Sequence, residues 1–82
     1  MKALKFEASW CAPCKMLSRV IDDAKDKIAM EIECIDIDEN AELAKSYGIR
    51  GVPTIVIVDD EGKEVKRQSG MMMESQLVEF LL

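Results

Sequence analysis

The chain strings together short apolar segments of two different periods, and their order predicts its architecture. Lys2 to Ser9 alternates loosely, as a half-buried strand does. From Ala12 to Met30 the apolar positions Cys14, Leu17, Ile21, Ala24 and Ile28 recur with a period of about 3.6, which predicts a long helix. Its opposite side carries Asp22, Asp23, Asp26 and Lys27, a solvated face in which Asp23 and Lys27 are spaced as an i,i+4 pair. Glu31 to Asp38 sets acids between Ile32, Ile35 and Ile37 and predicts a second strand. Asn40 stands where it would cap a short helix running to Tyr47, and Gly48 stops that helix.

Thr54 to Val58 is a β-branched run with no charge, the pattern of a strand buried on both faces. Asp59-Asp60-Glu61-Gly62 reads as a hairpin turn into a more exposed strand, Lys63 to Ser69. Ser75 to Leu82 closes the chain with a helix whose apolar side is Leu77, Val78 and Leu81, with Phe80 at its margin. Met73 occupies the position where a capping Ser or Thr is expected, so this helix should start weakly. The order βαβαββα predicts an α/β sandwich with a four-stranded mixed sheet flanked by helices.

Length and charge narrow the function classes. Eighty-two residues are expected to form a single domain over residues 1–82. A chain of this size buries only roughly 60% of its unfolded surface, so modest stability is expected. Eleven basic against sixteen acidic residues leave a net charge of −5, which argues against nucleic acid or an anionic membrane as partner. Three cysteines are too few, and odd in number, for a secreted disulfide scaffold. Lys5 and Glu7 interrupt the first apolar stretch, and no apolar run approaches the ~20 residues that span a bilayer. A reducing cytoplasm is the expected location, with a periplasmic mature form the alternative if an upstream signal has been removed.

The candidate chemistry lies in Trp10-Cys11-Ala12-Pro13-Cys14, between the first strand and the first helix. Cys11 falls where a helix begins, next to unpaired backbone N–H groups and the positive end of the helix dipole. Both favour the thiolate, which is the nucleophilic form. Pro13 suits the first helical turn, where its missing N–H costs nothing. Cys14 lies one turn on, near enough to close a small disulfide ring with Cys11. The spacing predicts dithiol–disulfide exchange. A structural zinc site would need four ligands; one cysteine pair, a distant Cys34 and no histidine predict no metal.

The chain resembles the thioredoxin family. Trp10-Cys11-Ala12-Pro13-Cys14-Lys15 is similar to the family's active-site signature, with Ala12 where glycine is usual. Tyr47-Gly48-Ile49-Arg50-Gly51-Val52-Pro53-Thr54 resembles the family's cis-proline loop, and Gly70 matches the glycine before the last helix. The resemblance covers essentially the whole chain and implies a fold without the additional N-terminal strand and helix of full-length members. It implies Cys11 as attacking thiolate, Cys14 as resolving thiol and a cis Val52–Pro53 bond. It also implies an apolar docking patch in which Trp10, Gly51, Val52, Pro53, Gly70 and Met71 surround Cys11, with Ala12 and Pro13 contributing from the signature itself.

Several positions depart from the family pattern. Lys5 stands where thioredoxins carry a buried aspartate behind the resolving cysteine, and Cys34 stands where a lysine is frequent. Glu7 replaces a common second tryptophan, and Arg19 replaces the proline that kinks the active-site helix. Lys5 and Glu7 are two apart and share one face of their strand. Two readings of Lys5 are open: a partly buried pair with Glu7 acting on Cys14, or a side chain that snorkels out to water. Cys34 is expected to be a buried strand residue behaving as a small hydrophobe. Met71-Met72-Met73 reads chiefly as packing beside the docking patch.

These features predict a protein-disulfide reductase with no bound organic cofactor, its redox group being the Cys11–Cys14 disulfide itself. The resemblance implies protein disulfides as substrates and a thioredoxin-reductase-like electron donor. A disulfide isomerase or oxidase of the same fold, and an interaction module with incidental thiols, are the alternatives. A monomer is expected.

Overall fold

A computed structural model describes residues 1–82. The elements are β1 (Lys2–Glu7), α1 (Ala12–Asp23), a single 3₁₀ turn (Lys25–Lys27), β2 (Glu31–Asp36), α2 (Ala41–Ser46), β3 (Thr54–Val58), β4 (Glu64–Ser69) and α3 (Glu74–Phe80). They build a four-stranded sheet in the order β2-β1-β3-β4. β1 runs parallel to β2, the two joined by the α1 crossover, and antiparallel to β3, which pairs antiparallel with β4. The sheet is mixed, as the element order predicted.

Strand alternation sorts the core into two layers. On one face Ala3, Ile55 and Ile57 pack with Leu17 of α1 and with Met72, Leu77 and Leu81 around α3. On the other, Leu4, Phe6, Ile35, Val56 and Val58 pack on Ala44 of α2. All five residues of β3 are buried, because this central strand is covered on both sides. β2 and β4 are the sheet edges, and β4 is largely exposed. Lys5 falls on the α1 side of β1 and is fully buried.

The differences from the sequence reading are local and have physical causes. β1 ends at Glu7 rather than Ser9, because the Cys11 N–H donates to the Ala8 carbonyl at 3.1 Å and closes a turn. The first helix ends at Asp23 rather than Met30. The apolar period carries on past the true end: Ala24 is buried, and Ile28 and Met30 still pack on the core from the extended segment after the 3₁₀ turn. β2 stops at Asp36, whose Oδ1 accepts the N–H groups of Asp38 and Glu39 and so starts a turn. Asn40 precedes α2, but its side chain donates to the Asp36 carbonyl and makes no cap bond. β4 begins at Glu64, since the Asp59 carboxylate takes up the N–H groups of Glu61 and Lys63 in the hairpin.

α3 starts at Glu74 and ends at Phe80. Its capping residue is Met73, as expected, and the Gln76 side chain compensates by accepting the Met73 N–H at 3.0 Å. Lys27 does not pair with Asp23; it reaches across to Glu74 at 2.6 Å and ties the end of the α1 segment to α3. Cys34 is exposed, not buried, because β2 is an edge strand with no neighbour beyond it.

Leu17 is the fully buried contact through which α1 holds the sheet. Leu17→Ala should lower the unfolding free energy by about 2–5 kcal/mol in urea denaturation. A loss below about 1 kcal/mol would show that α1 is not anchored there.

Candidate active site

The sharp passage from β1 to α1 builds the site. Cys11 is the N-cap of α1, with extended dihedrals (φ −95°, ψ 104°), and Pro13 sits in the first turn. The Cys14 N–H donates to Cys11 Sγ at 3.1 Å. Sulfur thus takes the place of the oxygen that usually caps a helix. No acidic side chain lies in that first turn, so nothing offsets the positive end of the dipole at Cys11. Cys11 and Cys14 form a disulfide, with their Cα atoms 5.3 Å apart. Both are nearly buried, in a small cluster with Ala8 against which Ile37 and Val52 pack.

A second loop brings the backbone to this pair. The Val52–Pro53 bond is cis, and Pro53 is buried. Thr54 Oγ1 donates to the Gly51 carbonyl at 2.7 Å, which fixes the loop from its own strand. The Gly70 N–H donates to the Pro53 carbonyl at 2.8 Å, so the segment before α3 is bound to the same loop. Gly70 adopts φ +89°, a conformation that favours glycine. Neither the N–H nor the C=O of Val52 enters a hydrogen bond within the chain, which leaves both available to an extended partner strand. Val52 packs on the cysteine cluster, and Gly70 is tied to the same loop through Pro53; Ala12 and Pro13 are exposed on α1. Trp10 is 67% exposed and Met71, which follows Gly70 in the chain, is 37% exposed.

Behind the disulfide lies Lys5. Its Nζ donates to Glu7 Oε1 at 2.5 Å, to Ser18 Oγ at 2.5 Å and to the Cys14 carbonyl at 3.3 Å. Lys5 is buried and paired with Glu7, so it does not snorkel out to water. Ser18 escaped the sequence reading, although it lies four residues after Cys14 and so shares its helix face. Asp38 was also missed: its Oδ2 accepts the Trp10 Nε1–H at 3.0 Å and holds the indole over the loop after β2. No local pattern marks that contact.

Cys34 lies beside Lys5 in the β1–β2 register. Partial burial of its thiol and the nearby Glu7 carboxylate push its ionisation above the ordinary cysteine value, against an opposing pull from Lys5. No three His, Cys, Asp or Glu side chains converge to hold a metal ion, and no helix is long and apolar enough to cross a membrane.

The sequence and the fold are both similar to known proteins. The family model described as Thioredoxin matches residues 2–82. The thioredoxin of Pseudomonas aeruginosa is 40% identical over 76 residues, covering 90% of this chain and 69% of that protein. That of Bacillus subtilis is 35% identical over 78 residues, covering 93% and 74%. A mutant thioredoxin from Halobacterium salinarum superposes with a TM-score of 0.86 at 38% identity, over 96% of this chain and 69% of the other. The X-ray structure of Fasciola hepatica thioredoxin gives a TM-score of 0.83 at 36% identity, over 96% and 75%.

With the Cys11–Cys14 disulfide intact, Cys34 is the one free thiol. Its raised ionisation means that the reactive thiolate is scarce at neutral pH and grows in only as pH rises past the ordinary cysteine range. Iodoacetamide should therefore label Cys34 of the oxidised protein more slowly at pH 7 than it labels an unstructured cysteine peptide. Equal or faster labelling would contradict the environment described here.

Proposed function

The chain belongs to the thioredoxin family and is a thiol–disulfide oxidoreductase, and we propose that it works in the reducing direction on protein disulfides. The observation that carries the assignment of roles is the bond from the Cys14 N–H to Cys11 Sγ at the start of α1. In the dithiol form the same N–H and the helix dipole would act on a Cys11 thiolate and favour it over the thiol. Cys11 is then the attacking nucleophile.

Cys11 thiolate attacks one sulfur of the substrate disulfide, forms a Cys11–substrate disulfide and expels the other sulfur as a thiolate, which takes a proton from water. Cys14 gives up its proton and attacks Cys11 Sγ. The second substrate sulfur leaves as a thiolate and is protonated in turn. The substrate has gained two electrons, and the protein is left with the Cys11–Cys14 disulfide. An electron donor of the thioredoxin-reductase kind returns it to the dithiol. The protein needs no further redox group for this cycle.

Docking uses the unpaired backbone N–H and C=O of Val52, which support pairing with an extended substrate segment beside Cys11. Gly51, Pro53 and Gly70 hold that backbone in place. Trp10, Ala12, Pro13 and Met71 supply apolar area around the sulfur. Pairing through backbone groups reads little of the substrate's sequence, which suits a reductase of many partners. A reducing compartment such as the cytoplasm fits this direction of electron flow.

Insulin reduction driven by dithiothreitol tests the roles. Cys11→Ser should abolish turnover. Cys14→Ser should retain the first attack and accumulate a covalent Cys11–substrate adduct, seen by mass spectrometry. Turnover surviving Cys11→Ser, or an adduct on Cys14 in its place, would refute the assignment.

A further inference from the structure

A dithiol exchanging with a disulfide does not by itself require a buried charge, yet this chain places one against the resolving cysteine. Lys5 is fully buried, and its Nζ has three partners: the Glu7 carboxylate, the Ser18 hydroxyl and the carbonyl of Cys14 itself. An ammonium has three N–H donors and no lone pair, so three acceptors satisfy it completely. Burying a cation is costly unless it is paired and fully hydrogen-bonded, and this arrangement meets both conditions.

We infer that Lys5 is a positioning residue for the resolving thiol, holding a fixed positive charge against Cys14 that favours its thiolate. The inference rests on the reading of Cys14 as the resolving residue. An ammonium with every hydrogen engaged cannot accept the Cys14 proton, so Lys5 acts through its field and not as a base. The proton leaves to water. Glu7 is the counter-ion, and its side chain is 29% exposed, so part of its charge is screened while that of Lys5 is not. Ser18, one turn beyond Cys14 on α1, accepts from the same ammonium and helps to hold it against this helix.

The other groups around the cluster are few. Cys34 approaches Glu7 and Lys5 from β2, and Asp22 of α1 acts on Cys34. From β3, the residue in register with Lys5 is Ile55, which carries no charge. α1 itself carries Lys15, Arg19, Asp22 and Asp23, none of them hydrogen-bonded to Lys5 or to the cysteine side chains, and Cys11 caps its start. Lys5 is therefore the one cation hydrogen-bonded to either residue of the cysteine pair.

A field has a sign, and the sign makes the idea testable. An opposite charge within about 4–6 Å favours the ionised form, and a like charge disfavours it. Removing Lys5 must make the Cys14 thiolate harder to form, and neutralising Glu7 must make it easier. A scaffolding role for the pair predicts no such opposition, and a role for Glu7 as proton acceptor predicts that both changes slow resolution.

The experiment follows Cys14 ionisation by its ¹³Cβ shift, in the reduced protein carrying Cys11→Ser and Cys34→Ser so that one thiol remains. Lys5→Met should raise the midpoint by about one pH unit. Lys5→Arg should keep it near the parent value, and Glu7→Gln should lower it. In the protein with both active-site cysteines, Lys5→Met should slow release of the mixed disulfide about tenfold at pH 7 while leaving the first attack by Cys11 unchanged. A midpoint indifferent to Lys5→Met, or moved the same way by Lys5→Met and Glu7→Gln, would overturn the inference. Should Lys5→Met not fold, Glu7→Gln decides alone, because it keeps the cation and must lower the midpoint. The titration needs no substrate, so its failure is distinct from a failure of the reductase reading.

Discussion

One hydrogen bond organises this site: the amide of Cys14 donating to the sulfur of Cys11. It exists because β1 stops abruptly at Glu7, the chain turns through the Ala8–Cys11 bond, and α1 begins with sulfur as its cap. Everything the cysteines can do follows from that junction. The open N–H groups at the helix start face Cys11, the one-turn spacing brings Cys14 to it, and Pro13 stiffens the turn between them without removing a bond the helix needs. Leu17, Val20 and Ile21 pack α1 against the core and keep this start at a fixed height above the sheet.

The rest of the site is assembled by loops that the sheet brings to the same end. β1 and β3 are neighbours, so the end of β1 and the start of β3 lie side by side. The first carries the cysteines and the second the cis Val52–Pro53 bond. β4 returns alongside β3, and its last residue leads to Gly70, which bonds back to Pro53. Three separate stretches of sequence thus meet without any long insertion. The unused N–H and C=O of Val52 are tolerable because the residue is only half-buried and follows exposed Arg50 and Gly51, where solvent can serve them.

Much of this is legible in the amino-acid sequence because the signals are local or periodic. The uncharged β-branched run at Thr54–Val58 has the pattern of a buried central strand, and it is one. The Cys11–Cys14 spacing with Pro13 is enough by itself to place a thiol at a helix start. Signals fail where the answer depends on sheet order. Cys34 has the apolar character of a core residue, but β2 is an edge strand and leaves it exposed. The periodicity overruns the end of α1 because Ala24, Ile28 and Met30 continue to serve the core after the helix has given way to a 3₁₀ turn and an extended segment. Lys27 finds its partner 47 positions away on α3 rather than on its own helix. Lys5 is ambiguous in sequence because a strand lysine snorkels unless it is enclosed, and enclosure comes from Ser18 and Glu7, two side chains from different elements.

The direction of electron flow is the claim on which the functional account turns. It is tested most directly by the reduction potential of the Cys11–Cys14 pair, measured against glutathione and dithiothreitol buffers with Cys34→Ser. A reductase requires a potential more negative than about −230 mV, in the range where thioredoxin itself, at about −270 mV, is established to lie. A potential above about −200 mV would contradict the account, since the pair would then be poised to give disulfides to its partners rather than to remove them.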